Sequence, residues 1–276
     1  MKNIIPSLKL MHFAMLHHFF SIKSYKETRF NLISTFEVEL DSNTMNTKLA
    51  VFDFDETIFK LKKPVVGLIE LYPNGQPPEH VAKLISERAW DKLKFIVPPE
   101  ISAMPNITKD IIWQALANCG EFVEGIDEVI KHYAQDHDII IVSGTLNVNV
   151  EAFLEKYDLL KHITKIYGIP SEVIEDGKFF VNQRPNEWGG SCEITGRNFC
   201  KKSILKYHLS QINHQYEQMV YFGDGSNDFC VARSLGSKDI VFPREGFKLV
   251  AMLEKEPISA QVMPWTNGKD VMNKIW

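Results

Sequence analysis

The sequence predicts an α/β fold, a central parallel sheet flanked by helices, and three observations carry that prediction. Runs of β-forming apolar residues recur at Leu49-Ala50-Val51-Phe52, Ile139-Ile140-Ile141-Val142, Met219-Val220-Tyr221-Phe222 and Ile240-Val241-Phe242. They are apolar throughout rather than alternating, the pattern of strands covered on both faces. Segments with helical spacing of apolar residues separate them, as in a parallel sheet built from βαβ units. The first three runs each end in a small polar or acidic cluster, and open sheets of this kind hold ligands at the carboxyl ends of their strands.

Composition narrows the function. The chain has 276 residues, 45% of them hydrophobic, enough for one large core with a smaller appended module. A net charge of -4 with no polybasic tract gives no long-range attraction to nucleic acid or an anionic membrane. The expected partner is a small molecule held by local charge, and no oligomeric state is signalled. The four cysteines, Cys119, Cys192, Cys200 and Cys230, are few and irregularly spaced, which points to reduced thiols in a cytoplasmic compartment. Cys192 and Cys200 stand too far apart for a Cys-x-x-Cys pair and read as buried thiols rather than metal ligands.

Taken in order, residues 1–46 form an extension outside the core, poorly ordered or targeting. Leu8 to Ile22 is mostly apolar, but Lys9, His12, His17 and His18 interrupt it and no stretch is long enough to span a bilayer. Met45, just ahead of the first strand, offers an alternative start. After the first strand, Phe59 to Gln76 mixes apolar and basic residues. A helix then opens at Pro77-Pro78-Glu79 with Val81, Leu84, Ala89, Trp90, Leu93 and Phe95 on its apolar stripe, ending before Pro98-Pro99. A second helix runs from Thr108 to Asn118, with Ile111, Ile112, Ala115 and Leu116 on one face and Gly120 as its terminator. The domain reading is therefore a core of 47–60 and 121–276 with a helical cap over 61–120. Beyond the cap, Glu121 to Gln135 reads as a helix, Lys165 to Ile169 as a short strand, and Pro170 to Gly196 as a loop or β-hairpin excursion with a strand candidate at Lys178 to Val181. Further helices are expected at Arg197 to Gln211, Phe229 to Leu235 and Gly246 to Glu254. An edge strand at Gln261 to Pro264 precedes a terminal helix from Gly268.

The chemistry gathers where strands end. Asp53 and Asp55 are two residues apart, so they start on one side of the chain and repel unless a cation or a proton intervenes. Phosphoryl transfer through an aspartyl intermediate uses both solutions: Asp53 as nucleophile and magnesium ligand, Asp55 as the acid that protonates the leaving oxygen and later activates water. Thr57 adds a hydroxyl to the phosphate-binding set. Ser143 can donate to a phosphate oxygen, and Gly144 lets backbone amides approach it. Lys201 and Lys202 sit at a helix start, where they oppose the helix dipole unless a phosphate lies in front of them. Gly223-Asp224-Gly225-Ser226-Asn227-Asp228 places Asp224 and Asp228 after a strand, oxygen ligands suited to magnesium.

Asp-x-Asp-x-Thr, Ser-Gly-Thr, Lys and Gly-Asp-Gly-Ser-Asn-Asp occur in one order, and over residues 48 to about 245 the chain resembles the haloacid dehalogenase (HAD) superfamily of aspartyl phosphotransferases. That resemblance implies a Rossmann-like core. The aspartate at the second acidic position points to its phosphatase branch. Asn198-Phe199-Cys200-Lys201-Lys202, Tyr221 to Cys230, Val241-Phe242-Pro243-Arg244-Glu245-Gly246 and Pro264-Trp265 look like the PHOSPHO phosphatases, a family that includes phosphoethanolamine/phosphocholine phosphatase and pyridoxal phosphate phosphatase. The resemblance implies a magnesium-dependent phosphomonoesterase. In it Asp53 is the nucleophile and binds the metal with the Asp55 carbonyl and Asp224. Asp55 is the acid and base, kept protonated by a raised pKa. Ser143 and Lys201 hold the phosphoryl group, with Lys202 as the alternative lysine, and Asp228 supports the metal or ligates it.

Two departures bear on the substrate. The acidic run that follows the first motif in the family is Phe59-Lys60-Leu61-Lys62-Lys63 here, and the family's Ser-Asp pair is Ser143-Gly144. A pocket without those acids is expected to favour anionic or aromatic phosphates such as pyridoxal 5'-phosphate over phosphocholine or phosphoethanolamine. The competing expectations are a phosphoserine-type phosphatase or phosphomutase, and a non-catalytic phosphate-binding descendant.

Overall fold

The computed structural model describes residues 46–61, 67–189, 192–195 and 199–275. The extension expected over 1–46, save Asn46, lies outside them, as do Met45, the three histidines, Lys62 and Lys63.

Six strands form one sheet: β1 (Lys48–Phe52), β4 (His137–Leu146), β5 (Lys165–Ile169), β8 (Gln218–Gly223), β9 (Ile240–Pro243) and β10 (Gln261–Val262). Their order is β10-β9-β8-β1-β4-β5, and every pairing is parallel. Alternation along the strands explains why they read as apolar throughout. Ala50, Phe52, Ile139, Ile141, Val220 and Phe222 face one core, whereas Leu49, Val51, Ile140, Val142, Tyr221 and Val241 face another. The first is covered by α4 (Ile126–Tyr133), α5 (Asn147–Lys156) and α9 (Gly268–Ile275), the second by α6 (Lys201–Ser210), α7 (Phe229–Ala232) and α8 (Lys248–Lys255). Burial of this aliphatic and aromatic surface, at about 25 cal/mol per Å², is the main favourable term of the fold.

Two antiparallel pairs stand outside the sheet, β2 (Phe59–Leu61) with β3 (Gly120–Phe122), and β6 (Ser171–Val173) with β7 (Phe179–Val181). Between β2 and β3 lie α1 (Glu79–Ser86), α2 (Trp90–Ser102) and α3 (Lys109–Ala117). Their buried Val81, Leu93, Val97, Ile101, Ile112 and Leu116 belong to the same apolar cluster as Phe54 and Phe59 from the first motif. No helix among the described residues is long and apolar enough to cross a membrane.

The structure corrects several local expectations. The helix expected from Pro77 is two helices, because Arg88 adopts a left-handed φ of 54° and turns the chain between them, leaving Trp90 exposed. Pro98 and Pro99 lie inside α2 rather than ending it; their fixed φ suits a helix, and buried Pro98 offsets part of the lost hydrogen bonding. Gly120 and Phe122 are in a strand, not at a helix boundary. A Cβ on Gly120 would stand 2.3 Å from the Phe59 ring, so the pairing with β2 requires glycine there. Gly125, at φ 73°, is the residue that starts α4. Ile111, expected inward, is exposed, because α3 buries Ile112, Leu116 and Ala117 instead.

Candidate active site

β1 and β8 are neighbours in register, Phe52 opposite Phe222, so the residues just beyond them leave the sheet side by side. The rings of Phe52, Phe222 and Phe242 stack at 4.4 and 4.6 Å across β1, β8 and β9, which holds that register. The Asp53 amide donates to the Phe222 carbonyl at 2.9 Å, one last rung before the chains diverge. Beyond it, Asp53, Asp224 and Asp228 each bring an oxygen within 4.8 Å of the others.

Asp228 is fully buried and its carboxylate is saturated. Oδ1 accepts from Lys201 Nζ at 2.6 Å and from the Tyr221 hydroxyl at 2.6 Å. Oδ2 accepts from the amides of Asp224 and Gly225, at 2.9 and 2.7 Å. Gly223 permits this, since a Cβ there would sit 2.6 Å from Asp228 Cγ. Lys201, also fully buried, lies 2.5 Å from Asp53 Oδ1, which additionally accepts from the Phe54 amide at 2.7 Å. Lys202 is exposed.

The charges do not balance. Burial pushes the Asp53 carboxyl well up, Lys201 pulls it back, and Asp228 and Asp224 push it up again. Burial and then Asp228 raise Asp224 to about 6. Burial alone would lower Lys201, but Asp228 and Asp53 outweigh it and hold the lysine above its ordinary value. Asp53 and Asp224 hold carboxyl oxygens within 4.8 Å of each other, and two acids that close repel unless a proton or a cation intervenes. A divalent cation with oxygen ligands fits between them, because it neutralises the same pair. With both Asp228 oxygens committed to protein donors, Asp53 and Asp224 are the acids left to hold it.

Asp55 is partly buried, and burial raises its pKa against the pull of Lys94 and Lys201. The Ser143 hydroxyl reaches Asp55 Oδ2 at 3.5 Å and accepts the Thr145 amide at 3.0 Å. A cavity of about 1050 Å³ opens above these groups, with Asp53, Asp55 and Asp224 at its floor and Lys94, Arg184 and Phe199 on its wall. Lys94 Nζ donates to the Gly144 carbonyl at 2.9 Å and pairs with the exposed Asp91 at 3.1 Å. Arg184 donates to the Ser143 carbonyl at 3.4 Å and lies over the Phe199 ring at 4.2 Å. Burial lowers its pKa to about 10, and its Nε is buried without a hydrogen-bond partner. Gly144 also lines the cavity, and a Cβ there would meet nothing closer than Phe199 at 3.9 Å.

The turn after Asp53 is braced from far along the chain. Glu56 has a left-handed φ of 58°, and Arg244 donates to its carbonyl and pairs with its Oε2 at 3.4 Å. Arg244 itself lies over the rings of Phe247 and Trp265, at 4.7 and 5.9 Å.

Of the residues singled out from sequence, Asp53, Asp55, Asp224 and Gly144 reach the cavity. Lys201, Asp228 and Ser143 stand behind it in contact with those acids. Thr57 does not join them: it is fully buried and its hydroxyl has no hydrogen-bond partner, because the turn points it into the core. Lys60 pairs with Glu121 in the β2–β3 ladder and does not line the cavity. Sequence reasoning missed Lys94, Arg184 and Tyr221. Tyr221 had a signal in its place inside the strand before the acidic turn, whereas Lys94 and Arg184 had none.

Comparison with known proteins gives the site its context. The model of the family described as Putative Phosphatase matches residues 48–276. The phosphoethanolamine/phosphocholine phosphatase of Gallus gallus is 26% identical over 235 residues, spanning 81% of this chain and 85% of its own. The pyridoxal phosphate phosphatase PHOSPHO2 of Homo sapiens is 26% identical over 238 residues, spanning 82% and 96%. Among solved structures, a HAD family hydrolase from Salmonella enterica subsp. enterica serovar Typhi has a TM-score of 0.51 at 15% identity, covering 82% of this chain and 69% of that one. That likeness concerns the fold.

Proposed function

The chain belongs to the Putative Phosphatase family and is a phosphoric monoester hydrolase of HAD fold; from that premise we propose a magnesium-dependent phosphatase that works through an aspartyl-phosphate on Asp53. The observation that carries this reading is the meeting of Asp53 and Asp224 at adjacent strand ends, with buried Lys201 between Asp53 and Asp228.

Asp53, the Asp55 carbonyl and Asp224 would hold magnesium, which supplies the positive charge that lets an anionic carboxylate approach an anionic phosphate. Asp53 attacks phosphorus as the bond to the leaving oxygen breaks, and Asp55 hands that oxygen its proton. Asp55, now ionised, takes a proton from the water that attacks the aspartyl-phosphate, releasing phosphate and restoring both acids. Its raised pKa keeps it loaded near neutrality. Lys201 steadies the phosphoryl oxygens beside Asp53, and Ser143 and Gly144 serve them from the opposite strand end. Asp228 acts by holding Lys201 and the Asp224 turn. Helices α1 to α3 form the cap, and α2 brings Lys94 to the cavity.

The substrate we favour has an anionic or aromatic leaving group, with pyridoxal 5'-phosphate ahead of phosphocholine and phosphoethanolamine. Position 144 has no side chain, room for one, and the Lys94 ammonium on its carbonyl, where the family resemblance puts an acid. The test is phosphate release from a panel of phosphomonoesters with magnesium, for wild type and Asp53→Asn. Release should vanish in the variant and on chelation. Turnover of phosphocholine well above pyridoxal 5'-phosphate would overturn the substrate order, and undiminished release after chelation the mechanism.

A further inference from the structure

Three thiols distant in sequence come together behind Lys201. Cys192, Cys200 and Cys230 place their sulfurs within 4.8 Å of one another, and the Cys192 and Cys230 sulfurs are 3.0 Å apart. Cys200 and Cys230 are buried, Cys192 partly so, and all three are free thiols. Sequence spacing spoke against a metal here because only Cys192 and Cys200 could be weighed as a pair. Cys230, from α7, supplies the third sulfur through the fold.

We infer that Cys192, Cys200 and Cys230 form a second metal site, for a thiolate-seeking cation of the zinc class. Zinc–sulfur bonds of about 2.3 Å put tetrahedral sulfur atoms ~3.8 Å apart, so the cluster needs adjustments of under about 1 Å to close on an ion. A disulfide would use two of the sulfurs and leave a third buried beside it, whereas one ion uses all three and keeps a fourth position for water. Each thiol that binds gives its proton to solvent, and one divalent ion on three thiolates carries a single net negative charge. Soft sulfur and hard carboxylate sites select different ions, so this cluster and the acids at Asp53 and Asp224 do not compete for one metal.

The position gives the site a purpose. Cys200 immediately precedes Lys201, and Cys230 follows Asp228 by two residues, so an ion there ties the start of α6 to α7 across the Lys201–Asp228 pair. It is a staple behind the phosphoryl site rather than part of the chemistry.

The test uses the full chain, reduced, stripped by chelator and saturated with magnesium, then titrated with Co2+. A sulfur-to-cobalt charge-transfer band should appear, saturate at about one equivalent per chain, bleach on adding Zn2+, and be lost in Cys192→Ser and Cys200→Ser. Because the buried Cys200 variant risks misfolding, Cys192→Ser is the deciding one: Zn2+ should raise the Tm of wild type and leave that of Cys192→Ser unmoved. Absence of the band in reduced wild type, or its persistence in Cys192→Ser, overturns the site.

Discussion

The floor and the wall of the cavity are built differently. At the floor, Asp53 is backed by buried Lys201 and Asp228, and the three are tied through Lys201 and to backbone amides at 2.5 to 2.9 Å, beside strand ends whose register is set by the sheet. On the wall, Lys94 and Arg184 reach in from a helix and a loop on long side chains, resting on the adjacent carbonyls of Gly144 and Ser143 at 2.9 and 3.4 Å. On the proposed function, the difference assigns the reaction to the floor and the choice of substrate to two cations on long side chains. Damage at the floor should stop turnover, and damage on the wall should redirect it.

Replacing Asp55 by Asn tests the floor and carries the largest of these effects. Loss of a positioned acid costs about 10²–10⁴ in rate, and the loss should be greatest for alkyl phosphates, whose leaving groups need the proton. Phosphorylated protein should accumulate when an aryl phosphate is supplied, read by mass spectrometry. Equal losses on alkyl and aryl phosphates would show that Asp55 is not the acid.

The wall is probed by Arg184→Ala. KM for a phosphomonoester with a second anionic group should rise about tenfold or more, in line with ~1.5–3 kcal/mol for a hydrogen bond to a charged group. The same variant should leave phosphocholine turnover unchanged. A uniform fall in kcat on all substrates would make Arg184 part of the floor.

The smallest effect is on stability. The folded-state pKa of Asp224 is raised to about 6, so the metal-free fold favours its protonated form and loses that advantage as pH rises through the folded value. At pH 7 Asp224→Asn should therefore raise the Tm of metal-free protein by about 2–4 °C for a relief of ~1 kcal/mol, and the gain should fade near pH 4. Magnesium should stabilise wild type and not the variant. A lower Tm for the variant would mean that its carboxylate is already compensated.

The contrast also explains what could be read in advance. Asp53, Asp55 and Asp224 were legible because continuous apolar runs mark buried parallel strands, and the residues just after such runs have a known place. Lys201 was legible from its conflict with a helix dipole. Lys94 and Arg184 were not, since a lysine on α2 and an arginine in a loop look like solvated surface until tertiary contact points them inward. Gly120 misled for a related reason: its strand pairing with Phe59 is tertiary, and local spacing favoured a helix boundary. The acid pattern left open whether Asp228 supports the metal or ligates it, and its oxygens both stand beside those of Asp53 and Asp224 and accept from four protein donors.

The bond from Arg244 to the Glu56 carbonyl spans 188 positions. A chain emerging from the ribosome carries Asp53 early, yet the turn that follows it stays unbraced until Arg244 has been made. On the proposed mechanism, a nascent chain that stops short of Arg244 lacks the brace and should release no phosphate.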